Sequence, residues 1–232
     1  MFFEKLFDYL DYIHQNRIFY YTKKFDLKIL IDIGAHKGEF LSFLLKNKKF
    51  KQAYVFEPQE EPFNIIKKKY SKNSKVKLFK LALSDKIKTR NFYIGKLTGT
   101  STFEKLNKKS KYLSFKQKLL NTKKTYEKKI TVRTTSIDNF FKKKNLSKTL
   151  LKIDVEGHEL KVLKGSKKKL KQIPYLLVEN HFLDLYENTD RMNKEKFLNN
   201  NNFKILKKFV HPLLIFEDNL YVNTKLNKLN IF

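Results

Sequence analysis

The stretch that decides the fold is Leu27-Lys-Ile-Leu-Ile-Asp-Ile-Gly-Ala-His-Lys-Gly-Glu-Phe40. It begins as a continuous apolar run, which is typical of a strand buried on both faces. The run ends in a turn that contains Gly34 and Gly38, and apolar residues at helical spacing follow. Strand, glycine turn and helix together predict the opening of a βαβ unit. Because glycine lets the backbone approach a ligand closely, the turn is a candidate binding site.

The acidic residue at the end of this strand narrows the class of ligand. A dinucleotide-binding turn reads GxGxxG, whereas this one reads Asp32-x-Gly34-x-x-x-Gly38. A carboxylate suits a cationic or hydroxyl-rich ligand better than a pyrophosphate. The motif resembles the first motif of methyltransferases that use S-adenosylmethionine, a ligand with a sulfonium and an amino group. Taken alone, it also fits an ordinary strand-to-helix turn.

The composition bounds the class of protein. The chain has 232 residues, of which 41% are hydrophobic, enough for one sizeable α/β domain. It has no cysteine, which excludes disulfides, thiolate metal sites and cysteine nucleophiles. No apolar run approaches the ~20 residues of a membrane span, and the acidic residues Glu4, Asp8 and Asp11 argue against a signal peptide. The sequence therefore predicts a cytoplasmic protein without a transmembrane segment.

The net charge of +28 has two interpretations. A charge of this size fits an anionic partner, such as RNA, a phosphorylated glycan or a membrane face. The basic residues, however, are mostly lysines spread along the whole chain. Proteins that read bases and phosphates usually use clustered arginines with exposed aromatic residues. We therefore favour a lysine-rich surface, and nucleic-acid binding remains the alternative.

The chain divides into an extension and one domain. Residues 1–26 predict an N-terminal helical extension packed at the domain edge, and residues 27–232 a single domain. Within that domain, residues 104–129 hold ten lysines and two glutamates and predict an inserted basic helix or lid. The hydroxyl- and glycine-rich residues 95–102 predict a mobile loop.

Two further predicted strands carry polar residues at their ends. The strand that begins at Ala53 ends at Glu57 and Pro58. An acidic residue in this place commonly accepts hydrogen bonds from ribose hydroxyls. A third strand, residues 76–83, is closed by Ser84 and Asp85. If it ends at the same edge of the sheet, Ser84 and its neighbours could contact an adenine.

A second strand–turn–helix unit begins at Thr149, and another buried strand begins at Tyr175. The polar residues at the ends of these strands are Asp154, Glu156, His158, Glu179 and His181. Since the carboxyl ends of parallel strands meet at one edge, we expect them near Asp32 and Glu57, in a cluster suited to general base chemistry. Taken singly, the acids could instead favour a helix N-terminus, and His181 could be a loop histidine.

The order of the predicted elements indicates the fold class. Strands alternate with helices along most of the chain, and apolar stretches at residues 213–216 and 219–222 predict a terminal antiparallel pair. The sequence therefore predicts an α/β protein with a doubly wound sheet, mostly parallel and with a terminal antiparallel hairpin.

Four segments together resemble the FkbM-type methyltransferases. They are Ile31-Asp-Ile-Gly-Ala-His-Lys-Gly38, Phe56-Glu-Pro58, Ala82-Leu-Ser-Asp85, and Leu151-Lys-Ile-Asp-Val-Glu-Gly-His-Glu159 with Val162-Leu-Lys-Gly165. The last of these is the longest and most specific, and the order and spacing of all four fit the family. The resemblance implies a Rossmann-like fold of the class I methyltransferase type. It also implies that S-adenosylmethionine methylates a hydroxyl, of a sugar, a glycan or a related small molecule.

The resemblance also implies roles for individual residues. The cofactor-binding positions would be Asp32, Gly34, Ala35, Gly38, Glu57, Pro58, Ser84 and Asp154. The catalytic positions beside the acceptor would be His158, Asp154 and Glu156. His158 is the first candidate base because imidazole titrates near pH ~6.5, and Asp154 is the second. Asp154, Glu179 and His181 would also suit Mg²⁺ or Mn²⁺, but their spacing is not diagnostic and the sequence predicts no metal.

Two alternative functions remain open. The first is an RNA ribose methyltransferase, which the charge favours. Enzymes that methylate base amino groups commonly carry Asn/Asp-Pro-Pro-Tyr/Phe after the fourth strand, whereas this chain reads Asp154-Val-Glu-Gly157, which points to oxygen. The second is a non-catalytic basic module that binds a nucleotide or glycan. The presence of Asp32, Gly34 and Glu57 together argues against it.

Overall fold

The computed structural model describes residues 2–46, 50–95, 98–110, 113–114, 125–182, 185–187 and 191–227. Its helices are α1 (Phe2–Thr22), α2 (Glu39–Leu44), α3 (Glu60–Tyr70), α4 (Ile137–Phe140), α5 (Glu159–Lys164) and α6 (Arg191–Asn200), with short 3₁₀ turns at Thr98–Thr100 and Lys169–Gln172. Its strands are β1 (Ile29–Ile33), β2 (Gln52–Phe56), β3 (Val76–Phe79), β4 (Ala82–Leu83), β5 (Lys88–Gly95), β6 (Tyr126–Thr135), β7 (Thr149–Ile153), β8 (Tyr175–His181), β9 (Phe203–Val210) and β10 (Phe216–Asn223).

The main sheet has seven described strands in the order β3-β2-β1-β7-β8-β10-β9. Strands β1, β2, β3, β7 and β8 run parallel, and β10 is antiparallel to both of its neighbours. The chain leaves β1 toward β3 on one side and returns to β7 on the other. Strand order therefore reverses between β1 and β7, which is where ligands bind in open α/β sheets. The predicted Rossmann-like sheet with a terminal antiparallel hairpin is confirmed.

The two central strands are buried because both faces of the sheet are covered. Every residue of β7 is buried, and only the first residue of β1 is partly exposed. One apolar cluster on the β7 strand includes Leu151 and Ile153, and a second cluster includes Leu150. This two-sided burial explains why both strands read as continuous apolar runs in the sequence.

A second, three-stranded sheet was not predicted. It has the order β4-β6-β5, with β5 and β6 antiparallel. The predicted strand over residues 76–83 was wrong in its extent: β3 ends at Phe79, and Ala82 and Leu83 leave the main sheet to pair with Thr134 and Thr135. Ser84 therefore follows a strand of the second sheet, not a strand of the main one.

The second predicted strand of the terminal antiparallel pair, residues 219–222, lies within β10, but the first strand lies earlier in the chain than predicted. The pair consists of β9 and β10, and residues 213–214 belong to the turn that joins them. Leu214 is 70% exposed and has a positive φ of 55°. Apolar residues in a turn mimic a strand in the sequence, which explains the error.

Two histidine–carboxylate pairs connect helix α1 to β10 and to the turn that precedes it. His14 Nε2 lies 2.8 Å from Asp218 Oδ2, and both residues are buried. His211 Nε2 lies 2.9 Å from Asp11 Oδ1. The helix also packs on α2, where the Tyr12 and Phe43 ring centroids are 5.1 Å apart. None of the helices in the described ranges is long and apolar enough to cross a membrane.

The predicted basic insertion over residues 104–129 is described only in part. Residues 111–112 and 115–124 lie outside the described residues. The last part is not a helix, because Tyr126 begins β6 and pairs with Gly95. The first part contains Glu104, which is buried rather than exposed.

Candidate active site

A cavity of about 920 Å³ opens at the carboxyl edge of the main sheet. Residues at the ends of β1, β2, β7 and β8 line it, and so do residues of α1 and of the loop at 99–103. Of the predicted site residues, those in its lining are Gly34, Ala35, Glu57, Pro58, Asp154 and Glu156. The cavity lies where the strand order reverses and is large enough for a nucleoside and a small acceptor.

The turn after β1 is shaped by its contact with β7. Gly34 has a φ of +78°, and a Cβ on it would overlap the backbone oxygen of Asp154. The Gly34 amide donates to the Phe56 carbonyl at 3.0 Å, and the Asp154 amide donates to Ile33 at 3.0 Å. Three strand ends are thus held side by side at the cavity. Only glycine fits the first turn, both by conformation and by space.

Glu57 closes one end of the cavity and is 2% exposed. Its Oε2 accepts from the His36 amide at 2.9 Å, and its Oε1 accepts from the Gln59 amide at 2.8 Å. Burial raises the pKa of the Glu57 carboxyl to about 7, although these two amides oppose the change. Each oxygen keeps a lone pair, so the carboxylate can still accept hydrogen bonds from ligand hydroxyls.

Asp32 lies beneath the Gly34 turn and is fully buried, but it does not line the cavity. Its two oxygens have no hydrogen-bond partner among the described residues. Burial raises the pKa of Asp32 to about 6, and the Lys152 ammonium, 3.9 Å from Oδ1, opposes this. Gly38 begins α2 in a left-handed conformation and also lies outside the lining.

Lys152 was not predicted as a site residue, yet it lies at the cavity beside Asp154. Its Nζ is 2.8 Å from Asp154 Oδ2. Burial favours the neutral amine, but the carboxylates of Asp154 and Asp32 outweigh it and raise the pKa of Lys152. Burial likewise opposes ionisation of Asp154, but the Lys152 ammonium outweighs it and lowers the pKa of that carboxyl. Asp154 is therefore ionised and in contact with the cavity.

A second group of side chains lies next to Asp154. His181 Nε2 is 3.1 Å from Glu156 Oε2 and 3.0 Å from Glu179 Oε1, and all three residues line the cavity. The Tyr186 hydroxyl donates to Glu156 Oε2. Burial and the nearby Asp154 raise the pKa of Glu179 well above its ordinary value. Burial opposes a charge on His181, but Glu156 and Glu179 outweigh it and raise its pKa.

The structure places His158 and Ser84 away from the cavity lining, which corrects two of the expectations. The His158 side chain is fully buried, with Nδ1 2.6 Å from Glu104 Oε1 and Nε2 2.8 Å from Ser84 Oγ. Burial lowers the pKa of His158, although Glu104 opposes it. Both ring nitrogens are occupied, so His158 connects three segments and has no free nitrogen for an acceptor. Ala82 and Leu83, the neighbours of Ser84, do line the cavity.

The described part of the loop expected to be mobile is tied to the site. Ser101 Oγ donates to Gln59 Oε1 at 2.7 Å, and Thr102 Oγ1 donates to the Glu156 carbonyl at 2.6 Å. Both Ser101 and Thr102 are buried. These contacts hold Ser101 and Thr102 against the rest of the domain, contrary to the expectation for this part of the loop, while residues 96–97 lie outside the described residues. The loop forms a fixed wall beside Glu156.

Helix α1 forms the opposite wall, which sequence reasoning missed. The residues of α1 in the lining are Asp11, Tyr12, His14, Gln15 and Ile18. Phe216 and Asp218 of β10 continue the same wall. Helical periodicity identified an apolar face on α1, but it did not indicate which element that face contacts.

Comparisons with known proteins bear on this arrangement. Residues 32–210 match the family model described as "Methyltransferase FkbM domain". No curated protein matches the chain at a significant level. Among solved structures, the methyltransferase domain of bacterial CtHen1-C superposes with a TM-score of 0.52 at 11% identity, over 92% of this chain and 98% of that chain. A Streptococcus pneumoniae protein has a TM-score of 0.50 at 12% identity, over 89% of this chain and 72% of that chain. At these identities, the two superpositions show the fold alone.

Proposed function

The chain belongs to the FkbM methyltransferase family, and from that premise we propose that it is an S-adenosylmethionine-dependent O-methyltransferase. The acceptor is a hydroxyl of a sugar, a glycan or a related small molecule. The observation that supports this proposal is the cavity itself. It has Glu57 at one end and the group of Asp154, Glu156, Glu179 and His181 at the other.

The residues present fit the cofactor. Glu57 has lone pairs for ribose hydroxyls, and Ala82 and Leu83 offer an apolar surface for adenine. Gly34 and Ala35 would bind the methionine end. The Asp32 carboxylate lies beneath them, and its oxygens have no hydrogen-bond partner among the described residues. This carboxylate would favour the positive charge of the methionine end. S-adenosylmethionine would supply the methyl group on a sulfonium, whose sulfur leaves readily as a neutral thioether.

The other end of the cavity would handle the acceptor. Methyl transfer breaks the S–CH₃ bond, forms an O–CH₃ bond and releases the hydroxyl proton. We assign this proton to Asp154, which is ionised and whose side chain is 28% exposed. Lys152 acts as a positioning residue, since it fixes the Asp154 carboxylate at 2.8 Å. Alignment of the acceptor oxygen would provide much of the acceleration.

A pair of variants tests this proposal. We expect Asp154→Asn to bind S-adenosylhomocysteine with unchanged affinity in calorimetry and to lose at least about 100-fold in methyl transfer. Asp26→Asn is the matched control, because Asp26 is an exposed carboxylate that also pairs with lysines. It should leave binding and transfer unchanged. A wild-type protein that shows no saturable heat with S-adenosylhomocysteine would contradict the proposal.

RNA is a second candidate acceptor, because the net charge is +28. The Streptococcus pneumoniae neighbour is described as a candidate tRNA methyltransferase bound to S-adenosyl-L-methionine. The acid-rich lining of this cavity favours a neutral acceptor over a phosphate backbone. RNA binding that weakens steeply with salt, together with transfer to a ribose oxygen, would favour the second candidate.

A further inference from the structure

We infer that Glu156, Glu179 and His181 form a binding site for one divalent cation, with Mn²⁺ as the best match. One nitrogen and two carboxylate oxygens lie within 4.8 Å of one another at the acceptor end of the cavity. The existence of the site does not depend on the proposed function, but the role of the ion there does.

The distances fit octahedral coordination. His181 Nε2 lies 3.0 Å from Glu179 Oε1 and 3.1 Å from Glu156 Oε2. An octahedral ion with bonds of about 2.1 Å keeps adjacent donor atoms about 3.0 Å apart. Three protein donors would leave the other positions to water or to the acceptor. The set of two carboxylates and one imidazole is harder than a zinc site and softer than a typical magnesium site, which favours Mn²⁺.

The orientation of His181 is a second, independent observation. Although Nε2 is close to two carboxylate oxygens, it makes no hydrogen bond to any described residue. Since both distances are short enough for a hydrogen bond, the missing bonds mean that neither oxygen is aligned with an N–H on this nitrogen. A histidine kept only as an ion-pair partner would be expected to aim its N–H at one of them.

The surroundings hold the three donors in place. Glu156 has a positive φ of 52°, and its carbonyl accepts from Thr102 at 2.6 Å. The Tyr186 hydroxyl donates to the Glu156 carboxylate, as groups around metal ligands commonly do. Glu179 and His181 are on β8, whose register with β10 places Asp218 opposite Glu179. The donors are thus supported by two strands and a fixed loop.

A cation here would assist the proposed reaction. A carboxylate that is paired with an ammonium, as Asp154 is with Lys152, is a weak base toward an alcohol. A bound divalent ion makes a hydroxyl beside it more acidic. Asp154 could then accept the proton. The oxygen would keep its electron pair for the incoming methyl group, while the S–C electrons stay with sulfur.

The test is a titration of Mn²⁺ into the full chain, after chelation has removed any bound metal. Binding is measured as the loss of the electron paramagnetic resonance signal of the free ion. We expect one saturable site in the wild-type protein. Glu179→Gln and His181→Asn should each weaken it at least about tenfold. Glu61→Gln, which removes an exposed carboxylate of α3, should not change it.

A parallel titration with S-adenosylhomocysteine separates this inference from the proposed function. If the wild type binds S-adenosylhomocysteine but no Mn²⁺, the inference is overturned and the proposed function stands. If it binds Mn²⁺ through these residues but no S-adenosylhomocysteine, the metal site stands and the proposed function fails. Mn²⁺ binding that survives in both variants, with circular dichroism showing that they are folded, also overturns the inference.

Discussion

Gly34 and Asp154 are in such close contact that a single added carbon on Gly34 would overlap the backbone oxygen of Asp154. This contact joins the turn after β1 to the end of β7, and so joins the part of the cavity that we propose for the cofactor to the part that we propose for the acceptor. Two predicted site residues therefore depend on each other in a way that neither motif reveals alone.

We expect Gly34→Ala to destabilise the protein. The variant combines a steric overlap with a φ of +78°, so the free energy of unfolding should fall by about 2 kcal/mol or more. Thermal denaturation measures this. Gly99→Ala is the control, because among the described residues its added carbon would meet only the His36 ring, at 3.8 Å. Equal melting temperatures for the two variants would contradict the contact.

Cofactor binding should weaken in mild acid. The pKa of Glu57 is raised to about 7, so the carboxylate is ionised above that pH and protonated below it. Ribose hydroxyls donate to the ionised form, so affinity for S-adenosylhomocysteine should fall up to about tenfold from about pH 8 to about pH 6. Calorimetry measures this. Glu57→Gln should bind weakly throughout and show little of this slope, and an equal slope in that variant would exclude Glu57 as its cause.

His158→Asn should affect stability more than chemistry. The substitution removes a buried ring that bonds Glu104 and Ser84, which should lower the free energy of unfolding by about 1–3 kcal/mol. Removal of a general base would instead reduce turnover by about 10²–10⁴-fold. We expect the folded variant to keep its turnover within about tenfold and to keep the wild-type pH profile. A full loss of turnover at unchanged stability would restore His158 as the base.

Helix α1 should be an integral part of the domain. His14→Leu leaves the buried Asp218 carboxylate without its ring partner, so the free energy of unfolding should fall by about 2–4 kcal/mol. Tyr9→Ala is the control on the same helix, because Tyr9 is 61% exposed. Chemical denaturation measures both. If both variants unfold at the same denaturant concentration as the wild type, the contacts of α1 do not stabilise the domain.

The strands and their polar ends could be predicted because they follow from local rules. Buried parallel strands are continuous apolar runs, and residues that follow them gather at one edge. This reasoning correctly predicted that Glu57, Asp154 and Glu156 lie close together, and all three line one cavity.

The direction in which the His158 side chain points could not be predicted. Glu156 and Gly157 both have positive φ values, 52° and 92°, before His158 begins the next helix. The sequence predicted that His158 lies in the same cluster as Asp154, beside the acceptor. These two left-handed residues redirect the chain, and the ring lies among Glu104 and Ser84 instead.

The wall formed by α1 could not be predicted either, because it depends on pairing between distant parts of the chain. A similar limit applies to β4, whose two residues join β6 about fifty positions later. Local propensity carries no information about such partners.

The bond between His14 and Asp218 spans 204 positions of the chain. During synthesis, α1 therefore leaves the ribosome long before the strand that it contacts. The early strands can begin to pair, but the cavity lacks one wall until β10 has emerged. A nascent chain without β10 therefore lacks part of this wall, and we expect ligand binding to follow translation of β10.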